Sequence, residues 1–273
     1  MTDLRASPLG HATRYADAYD PGLLFPVERA PQRSALGFDG QLPFRGVDRW
    51  TAYELSWLDP MGLPRIAIAH FTVPAESPRL VESKSVKLYL TAFNQTRFAA
   101  ADEVAAAIAR DLTAAAGASV AVALTPPSEF GSRTLAEPSG TCLDDLPVAI
   151  ERYEPIPEIL GTDGPVVAEA LYTRLFRSVC PVTGQPDYAC VELAYRGARI
   201  RHADLLRYLV SFRRHPGFHE HCVERIFADL WRRCAPESLS VHARFTRRGG
   251  IDISPFRTSG DEPPPSIART PRQ

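Results

Sequence analysis

Gly184-Gln185-Pro186-Asp187 closes a turn in the second half of the chain, and Gly62-Leu63-Pro64-Arg65 closes one in the first. A second pair of stretches follows in the same order, Leu90-Thr91-Ala92-Phe93 and Leu209-Val210-Ser211-Phe212. Working outward from the first turn, residues 50–58 and 65–73 carry β-branched, aromatic and alternating apolar residues on either side of Asp59-Pro60-Met61-Gly62-Leu63-Pro64, which predicts a hairpin. Helical periodicity covers 83–93 and then 102–116, where Val104, Ile108 and Leu112 share one helix face before Gly117. Residues 119–124 return to strand. Around the second turn the same order recurs: strand 166–179, turn 180–187, strand 188–196, helices 204–214 and 218–233, strand 239–246. Strand, strand, helix, helix, strand, twice over, predicts an α+β chain made by duplication of one module. The expected organisation is a Pro-, Gly- and Arg-rich leader over 1–47 lying on the surface, a first module over 48–140 and a second over 141–273.

Composition narrows the class. A chain of 273 residues, 45% hydrophobic and 23% charged, can bury a sizeable core. Its formal net charge of -1 gives no broad attraction to nucleic acid or to an anionic membrane. No apolar run is long enough to span a bilayer, and residues 1–10 lack a signal-peptide pattern, so a cytoplasmic location is expected. Five cysteines without CxxC spacing then argue against a disulfide framework or a zinc ribbon. Of 31 basic residues only Lys84 and Lys87 are lysine. Such a drift to arginine marks Lys84 as a position where a compact ammonium matters; Lys87 reads more simply as part of a solvated helix face.

The two halves are not chemically equal. The second turn carries Cys180 and Asp187, where equal spacing places Leu58 and Arg65 in the first. Glu82-Ser83-Lys84 has Arg201-His202-Ala203 as its counterpart, and Phe218-His219-Glu220 faces the alanines near 99–101. Each half keeps what the other lacks, so one composite site is expected.

Cys180 opens a proline-bearing turn after an apolar strand, where a thiol can be reached, and a thiolate is nucleophilic when nearby donors or cations stabilise it. Asp187 can reach across the turn, and a carboxyl in a desolvated cleft serves as a proton donor near neutral pH. A buried structural thiol beside a turn-capping aspartate is the alternative on these residues alone. His215, His219, His221 and Cys222 crowd together, but the Pro216-Gly217 break and the 100° step along a helix oppose a shared metal. Glu220 suits a helix first turn, and His219 serves either as acid/base or as a packed imidazole. Arg244 to Gly250 end the last expected strand with clustered guanidinium groups, a candidate phosphate clamp. There is no GxGxxG after a strand, so a nicotinamide cofactor would not sit in a Rossmann crevice. Rival readings are a zinc-dependent purine or pterin hydrolase of the cyclohydrolase type and a non-catalytic RNA-binding module using the arginines of 196–214.

Three separated motifs, Glu82-Ser83-Lys84-Ser85-Val86-Lys87-Leu88-Tyr89, Cys180-Pro181-Val182-Thr183-Gly184-Gln185-Pro186-Asp187 and Leu209 to His215 continuing through Phe218-His219-Glu220, together resemble the long, two-module 7-cyano-7-deazaguanine reductases of the queuosine pathway. The resemblance runs over nearly the whole chain. It implies two tandem tunnelling-fold modules, antiparallel sheets with paired helices on one face. It implies an NADPH-dependent reduction of a nitrile to an amine, with Cys180 forming a covalent thioimide, Asp187 as proton donor and His219 closing over the reacting centre. Val81, Glu82, Ser83, His219 and Glu220 resemble substrate contacts; Ser83, Lys84, Arg248 and Gly249 resemble NADPH contacts. The family further implies a homodimer with no resident metal, no membrane and no required contact with tRNA.

Overall fold

The computed structural model describes residues 16, 18–266 and 268–273. The chain divides into two compact units. Unit one takes the described residues up to Asp39 with Asp48–Thr134 and Arg247–Asp252, and unit two takes Gly40–Val47, Leu135–Thr246 and Ile253–Gln273.

Unit one contains β1 (Pro26–Glu28), α1 (Ala30–Ala35), most of β2 (Arg45–Leu58), β3 (Pro64–Pro74), β4 (Arg79–Val81), α2 (Ser83–Thr91), α3 (Ala101–Ala116) and β5 (Ala121–Thr125). Strand β3 lies between β2 and β5 and runs antiparallel to β5, with Ile68 opposite Thr125. Short β1 pairs antiparallel with β4. The expected surface leader contributes to the interior: Val27 is buried, and Arg29 forms an ion pair of 2.5 Å with Asp48, each 1% exposed. A charge so desolvated is tolerable only with its partner in place.

Unit two contains β6 (Thr141–Cys142), β7 (Thr162–Val179), β8 (Pro186–Ile200), α4 (His202–Ser211), α5 (His219–Cys234), β9 (Ser238–Phe245) and most of β10 (Ile251–Thr258). Its strands lie in the order β10-β9-β8-β7-β6. All of these ladders are antiparallel except β6 on β7. On β8 the alternate residues Ala189, Val191, Leu193 and Tyr195 are buried, as a half-covered sheet requires. Helix α4 packs against β7, and α5 against β9 and β8. Phe176, Phe212 and Phe245 meet in this core, with ring centroids 5.3 and 6.0 Å apart.

Strand β10 lies beyond the last strand read from the sequence. Pro255 and the charged Asp252 and Arg257 break the usual strand pattern, yet both charges are buried. The Arg257 guanidinium, 0% exposed, pairs with Glu224 of α5 at 2.8 Å. The helix expected over 204–214 also ends earlier, at Ser211, and tightens into a 3-10 turn over Phe212–Arg214.

The duplication is visible bond by bond. In unit one the Tyr89 hydroxyl of α2 donates to Asp111 of α3 at 2.7 Å; in unit two Tyr208 of α4 donates to Asp229 of α5 at 2.6 Å. Helices α3 and α5 both span 16 residues and both end on a left-handed residue, Gly117 and Ala235. The Leu58 N–H donates to the Thr96 carbonyl while its own carbonyl accepts from Phe98, both at 2.9 Å. Val179 repeats this with His215 and Gly217, at 3.0 and 3.1 Å.

That last equivalence corrects the register by one residue. Leu58 matches Val179, and the position after it is Asp59 in unit one and Cys180 in unit two. The turns agree: Asp59 N–H donates to Leu63 as Cys180 N–H donates to Gln185, and Gly62 and Gly184 both adopt positive φ. Equal spacing misled because the second turn holds one more residue than the first. Where unit two places Cys180 and Asp187, unit one therefore places Asp59 and Arg65, joined by an ion pair of 2.9 Å. Counted from the helix starts, His219 and Glu220 stand where unit one has Ala101 and Asp102.

The two tyrosine–aspartate bonds differ in redundancy. Asp111 also accepts from Tyr19 at 2.5 Å and pairs with Arg110 at 3.0 Å, whereas Asp229 meets Arg225 at 3.6 Å and feels the Arg232 charge. Tyr208→Phe should therefore lower the unfolding free energy by about 1–3 kcal/mol, and Tyr89→Phe by less, measured by urea denaturation. Equal losses would show that Tyr19 does not compensate.

Candidate active site

The site in unit two is assembled by backbone pairing. Strands β7 and β8 run in register with Ser178 opposite Asp187 and Val179 opposite Pro186, so Cys180 and Asp187 flank one turn. The Val179 bonds to His215 and Gly217 then pin the segment before α5 beside the same strand end. This brings the first residue of α5, His219, to Asp187: Nε2 lies 3.5 Å from Oδ2. The imidazole stacks on Phe245, the last residue of β9, at 3.9 Å and 25°. Cys180, Asp187 and Glu220 are 5%, 6% and 3% exposed.

Gly217 makes the junction tight, since a Cβ there would lie 3.1 Å from Cys222 Sγ and 3.3 Å from His215 Nε2. Burial, with a contribution from the Arg225 charge, holds the His215 imidazole down to about 4, so it is neutral at physiological pH. Burial also pushes the Cys222 thiol up to about 12, with the nearby Ser178 hydroxyl opposing it and the Asp187 and Glu220 charges acting in the same direction as burial. Ser178, Asp187 and Glu220 are thus all near enough to Cys222 to influence its thiol, and Asp187 also meets His219. Phe245 and Ser178 escaped the sequence reading, because an aromatic strand end and a lone serine carry no signal without the register.

The other histidines go elsewhere: His215 meets the edge of Phe212 and His221 that of Phe218. Among the described residues no group of three or more His, Cys, Asp or Glu is placed to hold a metal ion. The arginines of 196–207 are tied to acids, Arg196 to Glu237, Arg199 to Glu169, and Arg201 and Arg207 to Asp204. No helix among the described residues is long and apolar enough to cross a membrane.

In unit one, Glu82 is the N-cap of α2. Its carboxylate accepts from the amides of Lys84 at 2.6 Å and Ser85 at 2.8 Å, and it is 0% exposed. Burial raises its pKa, against those amides and the Lys87 charge. Arg248 and Ile251 bracket a two-residue hairpin turn whose central residues, Gly249 and Gly250, have φ of 61° and 75°. Both positions need the left-handed freedom of glycine, as a type I′ turn does. Lys87 lies along Gly249, where a Cβ would meet its Cδ, Cε and Nζ at 3.2 Å. Lys87, assigned to a solvated face from sequence, thus lies against Gly249. The arginine clamp expected at 244–250 is shorter than predicted. Arg244 pairs with Glu192 at 2.6 Å, and Arg247 and Arg248 lie next to the turn.

The missing Cβ atoms beside a lysine, with backbone amides and arginines at the turn, make a donor set suited to a phosphorylated nucleotide such as NADPH. A chain with that set in one unit and a strand-end thiol beside a carboxyl and an imidazole in the other has the parts of a thiol-dependent, nucleotide-using oxidoreductase. Residues 15–124 match the family described as "Nitrile reductase, 7-cyano-7-deazaguanine-reductase N-term", and residues 186–264 match "QueF-like protein". Curated proteins named NADPH-dependent 7-cyano-7-deazaguanine reductase are similar over almost their full length. Those of Bordetella avium and Chromobacterium violaceum are each 53% identical, covering 99% and 98% of this chain and 99% and 96% of their own; that of Burkholderia mallei is 55% identical, covering 98% of both. The chain belongs to the NADPH-dependent 7-cyano-7-deazaguanine reductase family of oxidoreductases.

Burial pushes the thiols of Cys190 and Cys222 up to about 12 and that of Cys234 up to about 11. At about pH 8 fewer than about one in a hundred of these carry a thiolate. Iodoacetamide is therefore expected to modify Cys180 and the half-buried Cys142 first, read by peptide mass mapping. Modification of Cys222 ahead of Cys180 would contradict the arrangement.

Proposed function

We propose that this protein reduces the nitrile of 7-cyano-7-deazaguanine to 7-aminomethyl-7-deazaguanine through a thioimide on Cys180. The observation that carries the mechanism is the buried Asp187–His219 contact of 3.5 Å at the turn that begins with Cys180. The relatives' common name supports the substrate and the cofactor.

A nitrile carbon is a weak hydride acceptor, and covalent addition converts it into a better one. Cys180 Sγ adds to that carbon, and Asp187 delivers a proton to the nitrile nitrogen. The product of this step is a neutral thioimide. Bound NADPH supplies one hydride to each of two successive two-electron reductions. Between them Cys180 leaves as the thiolate, giving the free imine. One nitrile, two NADPH and two protons thus become one amine and two NADP+.

The remaining residues orient and shelter. His219, fixed by its stack on Phe245, closes over the reacting centre and holds its Nε2 toward the proton donor. Glu220 accepts from the N–H edge of the deazaguanine, and Val81, Glu82 and Ser83 supply further substrate contacts. Ser83, Lys84, Arg248 and Gly249 hold NADPH, with Lys87 adding a charge beside Gly249. Burial of Cys180 and Asp187 limits water, which would otherwise hydrolyse the thioimide. The proposed assembly is a homodimer in the cytoplasm.

Mixing the protein with 7-cyano-7-deazaguanine and no cofactor should raise its intact mass by one substrate molecule. The gain should vanish in Cys180→Ala. Adding NADPH should consume two equivalents per nitrile, and Asp187→Asn should slow turnover by about 100-fold or more. A single NADPH per nitrile, or an adduct that survives loss of Cys180, would overturn the mechanism.

A further inference from the structure

Tyr53 of β2 carries two guanidinium groups on its ring. Arg247 sits 4.6 Å from the ring centroid and Arg133 5.8 Å. Both arginines and the tyrosine belong to unit one. The arrangement is held from several sides. The Tyr53 N–H donates to the Gly250 carbonyl at 2.9 Å, which fixes the ring beside the Gly249-Gly250 turn. Its hydroxyl donates to the buried Asp252 at 2.5 Å. Arg133 donates to His70 Nε2 at 2.9 Å, and burial, together with Arg133 itself, holds that imidazole down to about 4. His70 therefore accepts from Arg133 and adds no third charge.

Among the described residues neither guanidinium has a carboxylate within ion-pair distance, in contrast to the arginines of unit two described above. The nearby acid, Asp252, is 4% exposed and engaged by Tyr53; burial raises its pKa against the hydrogen bonds of Tyr53 and Thr51 and the longer-range attraction of Arg133 and Arg247. Two like charges are thus held at one aromatic ring without a direct carboxylate pair, one of them immediately before the turn proposed to hold the cofactor. Cation–π contact orients a guanidinium but leaves its edge donors available. Those edges match a phosphate monoester, which takes paired N–H donors.

NADPH carries one such group that NADH lacks, on the 2′ position of its adenosine. We infer that Arg247 and Arg133, presented by Tyr53, receive this 2′-phosphate and set the preference for NADPH over NADH. The inference rests on the reading of the turn as a cofactor site. The geometry explains why the donors are arginines stacked on an aromatic ring rather than arginines paired with acids, since a carboxylate partner would compete with the phosphate.

Direct binding provides the test. By calorimetry the wild-type protein is expected to bind 2′,5′-ADP at least about tenfold more tightly than 5′-AMP, the scale of one or two charge-assisted hydrogen bonds. Arg247→Ala, a change at an exposed residue, should cut that ratio about tenfold, with the loss falling on 2′,5′-ADP; Arg247→Lys should restore part of it. The NADPH-over-NADH ratio of kcat/KM should fall in parallel. An unchanged ratio in both Arg247→Ala and Arg133→Ala, or no 2′-phosphate preference in the wild type, overturns the inference even if nitrile reduction proceeds. Conversely, a preference for 2′,5′-ADP that depends on Arg247, in a protein that turns over no nitrile, upholds the inference and removes the reductase reading.

Discussion

Two backbone hydrogen bonds at Val179, one given to His215 and one taken from Gly217, fix where chemistry is possible in unit two. They tie the approach to α5 to the end of β7, so that a residue of the helix start and residues of the turn become neighbours despite wide separation in sequence. Side chains alone would not achieve this, because His219 and Asp187 lie 3.5 Å apart only while the strand end and the segment before the helix remain zipped. Proline at position 216 suits the arrangement, since the bonds are made by the residues on either side of it and no donor is lost. Gly217 completes it by letting His215 and Cys222 close over the chain without a Cβ between them.

Unit one makes the same two bonds at Leu58 and uses them for a different end. There the turn closes with the Asp59–Arg65 ion pair, an exposed contact of modest energetic value. Unit two has replaced that pair with a thiol and a buried carboxyl. The change removes a local cross-turn attraction and leaves the turn to be held by backbone bonds, which both copies retain. In the reverse direction, the N-cap of α2 is Glu82, making two capping bonds, whereas α4 begins after Arg201, whose side chain makes no capping bond. The duplicated scaffold therefore tolerated divergence at positions whose local stabilisation could be carried by the shared backbone.

Much of this was legible in sequence because periodicity reports burial. The paired helices, the two hairpins and the repeated order follow from alternation and four-residue spacing. Cys180, Asp187, His219 and Glu220 all fall in one unit and Glu82, Ser83 and Lys84 in the other, whereas Arg248 and Gly249, placed by sequence in the second module over 141–273, belong to unit one. What escaped depends on contacts rather than on pattern. Strand β10 hides because Asp252 and Arg257 are charged yet buried, their cost met by Tyr53 and Glu224 respectively. The one-residue register shift at Leu58 is invisible because the two turns differ in length. Lys87 looked like solvated surface because nothing in the sequence places Gly249 against it.

The same distinction separates arginines that stabilise from arginines that recognise. Arg257 and Arg29 are buried with a carboxylate each, and removing either partner would strand a charge. Arg196, Arg201 and Arg207 are paired at the surface, where such contacts contribute little. Arg247 and Arg133 follow neither pattern: they are ordered by an aromatic ring and a neutral histidine, and the buried Asp252 attracts them without forming a direct pair. Two guanidinium groups ordered at one ring without a direct carboxylate pair repel each other, and a bound anion offsets that repulsion. That balance is the physical reason a chain so rich in arginine can use the same residue type for its core, its surface and the recognition of a phosphate.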